Sequence, residues 1–116
     1  MSLCPVSYSF CNQTVTVYHR EKERISRKVV KNAFLQWRDR LKTDPLGTVR
    51  KAEFLLVIPG STQTVFPGDW VVAGQGPEIP DAAEFRPGTV AGLGQVGQTQ
   101  CFYWENAICH TEARGE

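Results

Sequence analysis

The sequence predicts an all-β fold, a small closed β-barrel of five to seven short antiparallel strands joined by long loops. Three observations carry this reading. Gly and Pro supply 10 and 7 of the 116 residues, which favours many short segments separated by turns over a few long helices. Short β-branched or alternating runs recur between those turn signals. No segment combines a helical apolar stripe with a clear N-cap.

The length is that of one domain, residues 1–116, with 1–12 as a lead-in segment and 111–116 as a polar, frayed tail. Forty-one per cent of the residues are hydrophobic and 22% charged, a balance that supports a folded core and excludes a disordered tail. No run approaches the roughly 18 apolar residues of a membrane-spanning helix, so a membrane is not expected among its partners. The opening Met-Ser-Leu-Cys-Pro-Val has no basic start and no long apolar run, and reads as no signal peptide.

The first element is Thr14–Arg20, in which Val15 and Val17 point one way and Thr14, Thr16 and Tyr18 the other, the period of a strand. Glu21–Arg24 then form a polar turn, so that residues 14–31 read as a hairpin. Residues 25–41 admit two readings. As a strand, Ile25, Val29, Ala33, Leu35, Trp37 and Leu41 share a face; as a helix, Val30, Phe34, Trp37 and Leu41 form a stripe. Val29 and Val30 disfavour the helix, and the strand is expected to run through Trp37. A polar loop follows from Arg38 to Arg50, broken by Pro45 and Gly47.

Ala52–Ile58 is a continuous apolar run bounded by Lys51 and Pro59-Gly60, suited to a strand buried on both faces. Pro67-Gly68 is a turn, Pro presetting φ and Gly accepting the next position. It feeds a strand Asp69–Ala73, with Asp69 expected to bond local backbone N–H groups. Gly74–Pro87 is a loop rich in breakers and long enough to be a contact surface. Thr89–Val96 and Gln100–His110 are expected as the closing strands.

The net charge of +1 hides a division. Residues 20–51 hold eleven Lys/Arg against four acids, a net of +7, whereas residues 52–116 hold two Arg against eight acids, a net of −6. Such segregation fits a basic and an acidic side. A nucleic acid would suit it, as would protein subunits stacked basic face on acidic face. A solvated strand pair with outward Lys and Arg would need neither.

Chemistry is thinly written. Cys4, Cys11, Cys101 and Cys109 have spacings unlike zinc knuckles, and the expectation is four reduced thiols with no metal. His19 and His110 show no spacing that would pair them with a nucleophilic Cys. Gly92, Gly94 and Gly97 fit G-x-G-x-x-G, but a dinucleotide site needs a helix after it and a second strand further on. Strand-like residues follow Gly97 instead, so no cofactor is expected, and the glycines are read as a bend or bulges. Asp69 and Glu105 lie in separate segments and read as solvated acids rather than a catalytic pair. Tyr18, Trp37, Trp70, Phe102 and Trp104 are candidates for base stacking, though aromatics of so small a barrel are more often core. No catalytic residue is nominated, and the chain is not expected to be an enzyme.

The order of motifs carries a resemblance. VTVYHR, RKVVKNAFLQW, EFLLVIP, FPGDWVVAG and the aromatic CFYWENAI follow one another over residues 13–110. This order resembles a family of small tailed-phage and prophage proteins, minor capsid or head–tail connector (stopper-like) proteins. The Arg38–Arg50 loop and the Gly88–Gly97 segment have no place in that pattern. The resemblance implies a virion structural barrel, assembled as a ring at the head–tail junction. Its partners would be copies of itself, portal-side adaptor and tail proteins, and DNA passing through the channel without sequence-specific binding. Its location would be the virion, after assembly in the host bacterial cytoplasm. A small-barrel nucleic-acid-binding domain is the alternative. On charge and expected exposure, Arg38, Arg40 and Lys42 of one loop and Glu78, Asp81 and Glu84 of the other are candidate partner-binding residues. Both loops are expected to be mobile in the isolated chain.

Overall fold

The computed structural model describes residues 4–22, 24–79, 85–86 and 90–116. Among these residues six strands, all paired antiparallel, close a barrel in the order β1-β2-β3-β6-β5-β4: β1 Gln13–Glu21, β2 Arg24–Asp44, β3 Gly47–Pro59, β4 Trp70–Ala73, β5 Gly94–Trp104 and β6 Ala107–Gly115. The small closed barrel of the sequence reading is the fold observed.

Two long strands turn the corners of the barrel. β2 pairs with β1 through Ala33, then with β3 from Phe34 onward. At the changeover the register slips and Asn32 takes a φ of 60°, a bulge that bends the strand and reverses which side chains face inward. Val30 packs on the core before the bulge; Ala33 and Leu35 do so after it. β5 behaves alike: it pairs with β4 at Gly94 and Gln95 and with β6 from Val96, with a register slip between Val96 and Gln98. Gly97 therefore sits in a bulge, as the sequence reading has it.

The interior is filled by Val15, Val17, Ala33, Leu35, Phe54, Leu56, Ile58, Val65, Val71, Val96 and Ala113. A second cluster lies outside the barrel wall, where Tyr18, Val72 and Phe85 meet Ile25, Trp70, Ile79, Val90 and Leu93. The described part of the Gly74–Pro87 loop covers this outer face and is sewn to β1. Thr16 donates its hydroxyl to the Gly74 carbonyl and accepts the Gly76 N–H, and Tyr18 donates to the Pro77 carbonyl. Gly76 is needed there because a Cβ would run into the Tyr18 hydroxyl.

Several expectations fail, each for an identifiable reason. Residues 25–41 are strand, but β2 continues to Asp44, and Arg38–Arg50 is a paired hairpin rather than a mobile loop. The turn is only Pro45-Leu46, because Asp44 faces Gly47. Val90–Gly92 form a turn, so that β5 begins at Gly94 and Thr89–Val96 is not one strand. Gln100–His110 is two strands joined at Glu105-Asn106, whose φ values of 48° and 67° are those of a two-residue hairpin turn. The tail expected at 111–116 is instead the inner half of β6 as far as Gly115, with Thr111 and Ala113 buried. Finally, Cys4 and Cys109 form a disulfide, leaving Cys11 and Cys101 free. The four-thiol expectation took the compartment as its premise and lacked the fold, which folds the lead-in segment back against the start of β6.

Candidate assembly surface

The β2–β3 ladder outruns the barrel. β3 pairs with β6 only over Phe54–Pro59, whereas its ladder with β2 runs back to Gly47. Residues Arg38–Glu53 therefore form a two-stranded arm. It exposes Leu41 at 65% and Leu46, in the turn, at 98%. Its sequence carries Arg38, Arg40, Lys42, Arg50 and Lys51 against Asp39, Asp44 and Glu53. Two strands alone are marginally stable in water, and both edges of such a ribbon offer unpaired backbone groups.

The root of the arm is braced by rings. Trp37 packs on Phe54 with centroids 5.0 Å apart, and both rings close over Gly94. A Cβ on Gly94 would stand 2.7 Å from the Trp37 ring and 2.8 Å from Phe54, so the strand crossing beneath them must be glycine. Beside this brace lies an open groove of about 730 Å³ lined by Arg38, Glu53, Gln95, Gln98, Arg114 and Glu116 among others. Its lining is polar and of both charge signs, unlike the apolar pockets that hold small ligands.

The opposite end of the molecule is the β5–β6 hairpin, which extends past the last β3 pair, Pro59 with His110. Tyr103 and Trp104 are exposed near its turn at 65% and 45%, and Glu105 is exposed within it. Its base is fixed. Phe102 stacks on His110 at 4.6 Å, the Tyr8 hydroxyl donates to His110 Nδ1, and His110 Nε2 donates to Glu112. The Cys4–Cys109 disulfide ties the lead-in segment to the same base.

A third cluster joins β1 to the β3–β4 connection. Asp69, 2% exposed, accepts the Phe66 backbone N–H through Oδ2, as read from its turn position, and accepts His19 Nδ1 through Oδ1. His19 Nε2 faces Glu21 at 3.3 Å. The hydrogen bond to Asp69 and the two nearby carboxylates raise the His19 pKa against the opposing effect of burial. The described contacts of this pair are all structural, holding a turn against a strand end.

The residues nominated from sequence are distributed as follows. Arg38, Arg40 and Lys42 all lie on the arm; Arg38 is exposed, and for Arg40 and Lys42 only the backbone is described. Glu78 is exposed on the loop over the outer face of β1 and β4. Asp81 and Glu84 lie outside the described residues. The five candidate stacking rings do not share a surface: Tyr18 is fully buried and Trp70 half-buried in the outer cluster, Trp37 braces the arm, and Phe102 and Trp104 belong to the far hairpin. Asp69 and Glu105 are likewise separated, at the two ends of β5. Sequence reasoning did not single out Leu41, Leu46 or Tyr103 as exposed apolar side chains, and it weighed Trp104 as a stacking ring against a core one. The signal for the first pair was Thr43 and Thr48 flanking Asp-Pro-Leu-Gly, a hairpin connection read as loop. Comparison of the chain with protein-family models, with curated proteins and with solved structures finds no match.

Proposed function

We propose that this protein is a non-enzymatic assembly subunit, a virion structural protein of the head–tail connector type that works by packing against copies of itself around a DNA channel. The observation that supports the reading best is the arm. A paired ribbon standing clear of the barrel with exposed leucines and a basic sequence is costly to leave in water, and a neighbouring subunit would cover it. The barrel behind the arm is closed, and closure limits the sheet edge that a barrel leaves to water. The basic 20–51 segment is also compatible with a polyanion passing nearby. The scatter of Tyr18, Trp37, Trp70 and Trp104 over different surfaces weighs against a base-stacking platform of the kind single-strand binders use.

Two observations test this. The reading frames beside the gene should encode portal, major capsid and tail proteins; a metabolic or regulatory neighbourhood would count against the phage assignment. In solution, the isolated protein should self-associate with rising concentration. Salt-dependent retardation of labelled DNA at sub-micromolar protein, with the protein remaining monomeric, would favour the nucleic-acid-binding alternative.

A further inference from the structure

The two extremities of the molecule carry complementary chemistry. In the shared sheet, β3 runs from the arm at Gly47 to Pro59, and β6 continues beyond that end to Ala107. At about 3.3 Å per residue this places the two hairpin turns about 50 Å apart, in keeping with the 47 Å longest dimension. One pole has exposed Leu41 and Leu46 in a basic stretch; the other has exposed Tyr103, Trp104 and Glu105.

The arm is a poor partner for itself. In a two-fold antiparallel pairing of two β2 edges, facing residues lie an even number of positions apart. Centring on Arg40 sets Arg38 against Lys42; centring on Asp39 sets it against its own copy and Arg38 against Arg40. Both registers oppose like charges, which is unfavourable at directly facing positions. The far hairpin has the opposite properties. Its rings offer apolar surface to leucine and negative faces to Lys or Arg, and Glu105 adds an anion. The Cys4–Cys109 bond and the Phe102–His110 stack hold its base, so little ordering is required on contact.

Resting on the assembly reading above, we propose that the β5–β6 hairpin of one copy receives the β2–β3 arm of the next. Leu41 and Leu46 pack against Tyr103 and Trp104, and the cations of the arm lie over the rings and beside Glu105. The contact joins two different surfaces, so it propagates head to tail and closes as a ring when the rotation allows.

The test is complementation between two disabled chains, followed by sedimentation velocity at up to about 1 mM, where weak contacts populate. One chain carries Leu41→Ser with Leu46→Asp; the other carries Tyr103→Ser with Trp104→Ser. Each alone should stay monomeric, its association weakened on the order of tenfold or more. Their mixture should form a one-to-one dimer and nothing larger, since only one intact arm and one intact hairpin remain to meet. Trp104→Phe with Tyr103→Phe should associate like the parent, which separates loss of contact from loss of fold. A hairpin variant that associates normally, or a mixture that stays monomeric while the parent associates, overturns this pairing and leaves the assembly reading intact. A parent chain that is monomeric throughout overturns both.

Discussion

At the scale of single residues, the least replaceable groups are those that join elements distant in sequence. Asp69 serves the turn through the Phe66 N–H and β1 through His19. Asp69→Ala removes the acceptor of both the Phe66 N–H and His19 at a part-buried junction and should cost about 1–3 kcal/mol, measurable by denaturant unfolding. His19 gives the same junction a pH dependence. Its folded pKa is raised above the ordinary 6.5, so protonation favours the native state. That contribution is complete below about pH 6.5 and is lost as pH rises through the raised value. The difference in thermal midpoint between the parent and His19→Ala should therefore narrow as pH rises through that window. A difference that grows with pH would contradict the pairing. Within the barrel, Leu56→Ala should cost about 2–5 kcal/mol, since Leu56 is fully buried. Trp37→Ala should cost less than a core tryptophan would, because that ring is 36% exposed and braces the arm from outside. Asp69 was legible because Pro-Gly-Asp is a local turn chemistry, whereas His19 was not: its partner is 50 residues away and no local spacing announces it.

At the scale of elements, the first hairpin and the apolar run of β3 were read correctly, since period two and continuous burial leave strong marks on sequence. The second half of β2 was not, because a ribbon with no buried face carries no apolar alternation, and Leu41 is the one apolar residue between Arg38 and Asp44. The bulge at Asn32 hid the rest: it shifts the inward phase from Val30 to Ala33 and Leu35, which let a helical stripe compete with the strand. The last strands were misdivided because Glu105-Asn106 lacks the glycine that marks most two-residue turns. With Gln100–His110 taken as one strand and 1–12 as a lead-in segment, nothing brought Cys4 beside Cys109, and the disulfide had no geometry to be inferred from. That bond carries its own prediction. An unreduced, denatured sample should titrate two thiols, Cys11 and Cys101, and a reduced one four. Reduction should lower stability by about 2–4 kcal/mol, because the bond closes a separation of 105 residues. Four thiols without reductant would refute the pairing.

At the scale of the whole molecule, the +7 of residues 20–51 falls on the end of β1, all of β2 and most of the arm. Of the acids that follow, Glu53 and Glu116 lie at the root of the arm and Glu105 in the far hairpin turn. Summed charge of this kind steers encounter and orients neighbours more than it stabilises any one chain. The barrel is closed and braced without the arm, so replacing Asp39–Ala52 by a two-residue Asn-Gly turn should leave far-ultraviolet circular dichroism that of a β protein. The central claim is that the arm exists for assembly, and native mass spectrometry of the parent beside this armless chain tests it most directly. The parent should populate discrete oligomers whose abundance rises with concentration, and the armless barrel should remain folded and monomeric. Equal oligomer distributions for the two chains would contradict it.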